Sequence, residues 1–576
     1  MNENKSSSSS SSSPSLSLSP RGGLSDLTLL QIINDLEFNQ DIVCLLMTCK
    51  AYYREFKKQY AKVITFKGIE YPSPDERTMI SSRMTPFKEI YNASLMAIQT
   101  KKDHEINNPP PQTWISLTKT SVDAMEKINT VKDRTKLTRI HLNEFTGNIK
   151  DVLLPSIDTL SINIKSVLPR FPTRSQWTCF TLTSLSIYSD SVLPSDLQFP
   201  PTLTDLCISF NYRDPFTLDM TNLVDLRTLD VSSSSITLIP ATNIRFPNPN
   251  TSLSSLTFKV PFDRSTITQS FLPPNLEELN MDYKYLGEYI KPPPHVKTMN
   301  MSTNIGIGHV YFPLGLLDVK LTLNGMATLG PWTFPQGIEI VDIPNTHIPV
   351  TPEFIPDSVK YLCADVSNPD TAVFPSCLET FVTSTSHDSP FNYPPTLKEL
   401  EYQKGDYPPP VIYLPTSLET ITLEIFDPPH SRVFALPTTK VINNDNSPPE
   451  ENPPHFVLPY RVKKLEASLL GEHETDFSFR IDTIINCSNV EHLFIDNFGT
   501  TLDLYIRRLE NGDVMINSGG RAFFGGVYRQ QRRMDNTSVE NRSFRDFPAL
   551  YLTFKEKGGY VHVYPSNIPI KLNNTL

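Results

Sequence analysis

Long apolar runs are missing from this chain. No stretch approaches the roughly 18 or more uninterrupted apolar residues of a membrane helix. The N-terminus is a serine tract, Ser6 to Ser13, with no apolar signal region. Positive charge is short as well: 52 Lys and Arg stand against 62 Asp and Glu, a formal net charge of −10. That balance argues against a nucleic-acid-binding surface and makes basic partners the natural ones. Cysteine is sparse. The seven, Cys44, Cys49, Cys179, Cys207, Cys363, Cys377 and Cys487, are scattered, odd in number and mostly set in apolar runs, so they read as reduced core residues. These absences predict a cytoplasmic or nuclear protein that engages neither membrane nor nucleic acid.

Catalytic constellations are missing too. Gly306-Ile307-Gly308 lacks the third glycine and the strand-to-helix setting of a nucleotide loop. There is no phosphate-binding Gly-x-x-x-x-Gly-Lys-Ser/Thr, no kinase set and no His-Glu-x-x-His, and no cysteine pairs stand at metal-finger spacing. Cys49, beside Lys50 in an apolar helical context, reads as packing. The expectation is a non-enzyme with no cofactor and no metal.

What is present is one sequence pattern repeated from Leu137 to about Phe498. Its clearest copies read Leu414-Pro415-Thr416-Ser417-Leu418-Glu419-Thr420-Ile421-Thr422-Leu423 and Leu272-Pro273-Pro274-Asn275-Leu276-Glu277-Glu278-Leu279-Asn280-Met281. Apolar residues follow the prolines at spacings of three and two, and the first of that triplet serves as an anchor: Leu137, Ile157, Leu182, Leu203, Leu226, Leu253, Leu276, Val296, Leu316, Ile338, Val359, Leu378, Leu397, Leu418, Val462 and Val490. Steps run from 19 to 28 residues, apart from a gap of 44 that reads as two steps of 22 about a degraded copy at Leu436-Pro437-Thr438-Thr439-Lys440. Roughly seventeen repeats at this period are the signature of a leucine-rich-repeat solenoid. Spacings such as Leu203, Leu206 and Ile208 end in a period of two, so each copy supplies one strand to a parallel sheet. The proline pairs oppose helix on the other side. The fold class expected is β-dominated, with short N-terminal helices, a parallel concave sheet and a helix-poor, proline-rich convex side.

The flanks differ. Residues 1–23 read as a disordered Ser-rich tail. From Leu24 to Phe56 three short amphipathic segments follow, with Asp26 and Asn39 as caps of the first two. Helices so short have too little mutual surface for an ample core and need something else to cover them.

Leu24-Ser25-Asp26-Leu27-Thr28-Leu29-Leu30-Gln31-Ile32-Ile33-Asn34-Asp35-Leu36, then Asp41-Ile42-Val43-Cys44-Leu45-Leu46 and Cys49-Lys50-Ala51-Tyr52-Tyr53, resembles an F-box. It departs from the family pattern at Ser25, where proline is usual, and at Tyr52, where tryptophan is commonest. The resemblance, over 24–60, implies docking onto a Skp-type adaptor of a cullin-RING ubiquitin ligase through Leu24, Leu29, Leu30, Ile33, Leu36, Ile42, Leu45, Leu46 and Tyr52. The alternative is a helical cap over the first repeat, which a solenoid also needs. Residues 61–136 read as a linker or N-terminal cap region, with Val63 to Phe66 as a first strand and helices over Pro86 to Ile98 and Val122 to Val131. The repeat pattern over 137–498, with Phe210-Asn211 after one strand and Phe391-Asn392 before another, resembles the FNIP repeat of amoebal proteins, a leucine-rich-repeat relative often joined to an F-box.

Strand positions that alternate with the core residues point to the concave side. They include Asp205, Asp230, Glu278, Asp282, Asp318, Asp342, Asp365, Glu399, Glu401, Glu424, Glu466 and Asp496, against Lys259, Lys320 and Lys464. Side chains of successive strands stand about 4.8 Å apart, so this excess predicts a negative field that steers a basic protein ligand. Exposed strand positions on an acidic chain are polar in any case, and that plainer reading stays open. Beyond Asn497, two hairpin signals, around Asn511-Gly512 and Gly558-Gly559, predict a β-rich C-terminal cap over 499–576. Arg529, Arg532 and Arg533 between them read as a solvated loop. Two functions are in view: substrate recognition for a Skp/cullin/F-box ligase, or a non-catalytic interaction scaffold whose N-terminal helices merely cap the repeats.

Overall fold

The computed structural model describes residues 25–37, 39–47, 51–69, 87–107, 113–118, 120–214, 217–235, 238–247, 252–268, 270–282, 291–303, 312–323, 334–384, 391–403, 411–426, 433–434, 436, 439–442, 456–470, 477–497, 500–509, 513–518, 525–530, 549–557 and 560–566. The chain divides into two compact units, one carried by Met1–Lys101 and the other by Lys102–Ser518 and Gly525–Leu576. Among the described residues no helix is long and apolar enough to cross a membrane.

In the first unit, Ser25 caps the helix Asp26–Asp35, its hydroxyl accepting the Thr28 amide at 3.2 Å. The helix Asn39–Met47 follows, then a π-helical turn Tyr52–Phe56 that continues as α-helix through Lys57–Tyr60. The cover these helices need comes from the next residues of the same chain. Ile64, Phe66, Ile69, Phe87, Ile90, Tyr91 and Leu95 are buried with Leu29, Leu30, Ile33, Ile42, Val43, Leu46 and Phe56. Val63 to Phe66, expected as a strand, is not one, because side-chain amides take its backbone groups. Asn34 donates to the Val63 carbonyl at 3.3 Å and accepts the Thr65 amide at 3.2 Å; Asn39 donates to the Lys67 carbonyl and accepts the Lys67 amide, both at 2.7 Å. The Phe66 amide goes to Ser94 Oγ at 2.9 Å. Buried backbone groups must find partners, and here they find them without a neighbouring strand.

The second unit is the solenoid. Among the described residues its main sheet has 20 strands. The last three, Thr500–Arg508, Asp513–Ser518 and Gly525–Arg529, join antiparallel, and the seventeen before them are parallel, in a continuous register broken by one shift between Ile340–Ile348 and Tyr361–Val366. All sixteen anchors are at most 1 % exposed; each such burial contributes roughly 1.5–3 kcal/mol once the next turn covers it.

Two further elements of the repeated pattern acquire a physical reason. The recurring proline opens a tight turn: its carbonyl accepts the anchor amide three residues on, as in Pro293 to Val296 at 3.2 Å, Pro313 to Leu316 at 3.1 Å and Pro394 to Leu397 at 3.2 Å. Its own missing amide costs nothing there. The Ser or Thr before the anchor donates to the anchor carbonyl one turn earlier: Thr202 to Leu182 at 2.6 Å, Ser358 to Ile338 at 2.7 Å, Thr396 to Leu378 at 2.8 Å. Where a Ser or Thr holds that position, the repeat is tied to its predecessor by backbone, hydroxyl and apolar contacts together.

Two boundaries differ from expectation. The first strand of the sheet is Trp114–Thr118, followed by the capped helix Ser121–Asn129, so the solenoid begins inside the region read as a linker. Trp114–Thr118 escapes an anchor count because the position that matches the anchor Leu137, two before the strand, is Gln112 and not an apolar residue. The degraded copy near Leu436 is not a turn of the main sheet. Thr420–Phe426 pairs directly with Lys464–Leu470, while Thr439–Ile442 pairs with Ile412–Pro415 in a separate two-stranded sheet. Anchor spacing alone does not distinguish a repeat from a strand pair behind the sheet. The back is helix-poor as expected, built partly from short parallel pairs such as Leu218–Asp219 with Ile244–Arg245. Near the end of the chain Tyr551–Lys557 pairs antiparallel with Tyr560–Ser566 and with Phe477–Arg480, a strand from within the repeat region; Arg532 and Arg533 lie outside the described residues.

Candidate functional site

Alternation along each strand sorts side chains onto two faces. In Asp205–Phe210 the even residues are buried, and Asp205, Cys207 and Ser209 look outward. Register stacks these outward positions into three rows along the sheet, the open face. The sequence-predicted acids fall in these rows. Asp205, Glu278, Asp318 and Glu399 lie in the first, Glu401 in the second, and Asp282 and Glu424 in the third. Asp205, Glu278 and Glu399 are exposed, and Asp318, Glu401 and Glu424 are half-buried; the Asp282 side chain lies outside the described residues.

Not every acid on this face offers charge to a partner. Asp342 is paired with Lys320 at 2.6 Å and Glu466 with Lys464 at 2.5 Å. Asp365 is 4 % exposed and accepts from the Ser384 amide at 2.9 Å and hydroxyl at 2.6 Å, a bond that joins two turns. Asp318 is different. Burial, then the neighbouring Asp342 charge, push its carboxyl above the usual range, against an opposing pull from Lys320. Burial also raises Asp230, whose Oδ1 is buried without a hydrogen-bond partner; Lys259 opposes that shift. Carboxylates held partly out of water with like charge beside them are stabilised by an incoming cation.

A second charged array, missed by the sequence reading, runs along the edge where the strands begin. The residue after each anchor forms one backbone column: the Lys297 amide donates to the Glu277 carbonyl at 2.7 Å, Lys360 to Glu339 at 2.8 Å, Lys398 to Glu379 at 2.8 Å. Side chains in this column alternate in sign and pair across turns: Lys297 with Glu277 at 2.9 Å, Lys360 with Glu339 at 2.9 Å, Lys398 with Glu379 at 2.8 Å, and Lys463 with Glu491. These pairs are exposed, so each adds little stability. Their consequence is that the edge neutralises itself while the open face does not. Aligning the residue after each anchor would have shown the alternation.

The N-terminal helices place the F-box-like residues differently from what the resemblance implies. Leu29, Leu30, Ile33, Ile42 and Leu46 are 0–7 % exposed, inside their unit's own core. Leu36, Leu45 and Tyr52 are half-buried, and Leu24 lies outside the described residues. The apolar surface left outward on these two helices is Leu27 at 78 %, Ile32 at 38 % and Met47 at 38 % exposed. Nearby, Lys57 lies over the rings of Tyr53 and Phe87 at 4.2 and 4.8 Å, in a cavity of about 290 Å³ also lined by Arg54 and Glu89.

Of the cysteines, Cys363 and Cys487 are buried but Cys179 and Cys377 are exposed and Cys207 half-buried, none in a disulfide. The core reading therefore holds for only some. Cys44 and Cys49 fall outside the described side chains. Burial, then Asp342, push the Cys363 thiol up to about 12, so it stays protonated and unreactive at neutral pH.

No protein-family model matches the chain, and no curated protein matches it. Among solved structures it is similar to CroV588, described as a novel circular LRR protein structure: 16% identity, covering 59% of this chain and 60% of that one, TM-score 0.29. It is also similar to YopM from Yersinia enterocolitica WA-314: 15% identity, covering 63% of this chain and 81% of that one, TM-score 0.29. The class, a leucine-rich-repeat-type solenoid, rests on the chain's own seventeen registered parallel strands.

Proposed function

We propose that the chain is a non-catalytic protein-binding receptor whose open sheet face captures a basic protein. One observation carries this reading: the rows of the open face hold Asp205, Asp230, Glu278, Asp318, Glu399 and Glu401, none in an ion pair among the described residues, while the neighbouring edge column cancels its own charge. A field confined to one face attracts and orients a partner of opposite sign. Replacing Glu278, Glu399 and Glu401 together by lysine tests it. Capture of basic proteins by the full chain falls at least about tenfold if the face is the binding surface, and unchanged capture refutes it.

A second, finer reading concerns the N-terminal helices: docking on a Skp-type adaptor, with the chain acting as substrate receptor of a ubiquitin ligase. Its support is the ordered F-box-like series from Ser25 to Tyr53 together with outward-facing Leu27, Ile32 and Met47. Because Ile42 is 0 % exposed, Ile42→Asp unfolds the helical unit and tests nothing about docking. Leu27→Asp and Met47→Asp keep the fold. Loss of a purified Skp-type adaptor from those two variants supports the reading; equal retention, or no adaptor on the unmodified chain, sinks it and leaves a scaffold.

A further inference from the structure

One turn interrupts both charge patterns at once. In the edge column, between Lys297 and Glu339, stands Leu317, 45 % exposed. Three residues earlier in the same turn Leu314 is 85 % exposed. The Leu317 carbonyl accepts the Ile340 amide at 3.0 Å, which sets Ile340, itself 38 % exposed, directly beside it. Ile340 takes a first-row position of the open face, between Asp318 and Tyr361 in register. Single exposed apolar side chains are ordinary on a protein surface. Here the Leu317 position carries Lys297 and Glu339 in the adjoining turns and the Ile340 position Asp318 and Tyr361; two apolar residues side by side in their place, with Leu314 exposed in the same turn as Leu317, mark an interaction surface.

The chemistry beside the patch indicates what it takes. The carboxylate of Asp318, the register partner of Ile340, makes no hydrogen bond among the described residues, is partly withdrawn from water and feels the Asp342 charge. A cation delivered there relieves that repulsion, and the leucines beside it accept apolar surface in the same event. Neighbouring Lys320 is already committed to Asp342.

We infer that Leu314, Leu317, Ile340 and Asp318 form a docking site for a segment of a protein partner in which a large apolar side chain stands next to a lysine or arginine. The inference rests on the reading of the open face as a partner-binding surface, and gives that surface its anchor. Buried apolar anchors flanked by charge carry most of the energy of small interfaces.

The test is a library of random twelve-residue peptides displayed on phage and selected on the full chain. Enriched sequences are expected to pair Leu, Ile, Met or Phe with Lys or Arg. Synthesised, they bind Leu317→Glu and Ile340→Glu at least about tenfold more weakly, and Asp318→Asn flattens the dependence of their affinity on salt. Leu317 and Ile340 are exposed, so the denaturation midpoints of Leu317→Glu and Ile340→Glu stay at the unmodified value, which separates lost binding from lost fold. Peptides that bind Leu317→Glu and the unmodified chain alike overturn this site while leaving the open face as a binding surface. Enrichment of acidic peptides, or of none, overturns both.

Discussion

Over the first seven strands of the long sheet, from Trp114 to Lys259, the open face is mostly hydroxyl and amide: Ser116, Asn143, Ser161, Ser186, Ser232 and Thr257 are typical, with Asp205 and Asp230 the acids. From Glu278 onward the same rows become acidic, with Glu278, Asp318, Asp342, Glu399, Glu401 and Glu466. Nothing inside changes: Leu206 and Leu400 occupy the same buried position and are each 1 % exposed. The two stretches therefore fold for one reason and differ for another. Core periodicity sets the sheet, and the alternate positions are free to carry recognition.

The largest expected effect probes the shared part of this comparison. Leu206→Ala and Leu400→Ala each cost about 2–5 kcal/mol in chemical denaturation, and similar losses are expected at the two sites. A much smaller loss at one of them breaks the claim of a uniform core. The next effect probes what differs. Glu278, Glu399 and Glu401 reversed to lysine weaken capture of basic proteins by about tenfold or more, whereas Ser184, Thr228 and Ser255, first-row positions in the other stretch, tolerate the same change within about twofold, less than the 1.4 kcal/mol of a tenfold step.

A smaller effect concerns pH. The folded-state pKa of Asp318 is raised, burial being the first cause and Asp342 the second. A raised acid holds its proton in the folded chain after the unfolded chain has lost it, so its contribution to stability falls as pH rises from the usual Asp range through the raised value. Asp318→Asn removes that loss. The variant is expected to melt higher than the unmodified chain at neutral pH, and the advantage disappears below the usual Asp range. Melting curves at three pH values check the sign. The smallest effect is chemical: at pH 8 a thiol reagent modifies exposed Cys179 and Cys377 and leaves Cys363, whose thiol burial holds protonated. Mass mapping of the labelled peptides reads the order.

How much of this was legible in the sequence depends on which positions repeat. The sixteen anchors were readable one by one because each opens an apolar triplet at spacings of three and two, often after a proline turn, and all are buried. The open-face acids were placed in their rows by the same period. What escaped lacks the period or depends on partners far along the chain. Trp114–Thr118 has Gln112 where the other copies carry the apolar anchor. Asn34 and Asn39 look like an interior helix residue and a cap, and only the fold shows them holding residues 63–67. The F-box-like series was visible, but whether Leu29, Ile33 and Ile42 face a partner or their own unit depends on residues 64–69 and 87–95, whose covering role no local pattern announces. Pairing on the open face also changed its reading, since Lys320 and Lys464 neutralise acids that a count leaves free.

The most direct measurement is quantitative affinity capture with the full chain and its Glu278→Lys, Glu399→Lys, Glu401→Lys variant side by side, at matched expression and low salt. The account predicts that the basic proteins held by the unmodified chain drop at least about tenfold on the variant, while its denaturation midpoint is retained. Recovery of the same proteins in the same amounts would contradict it.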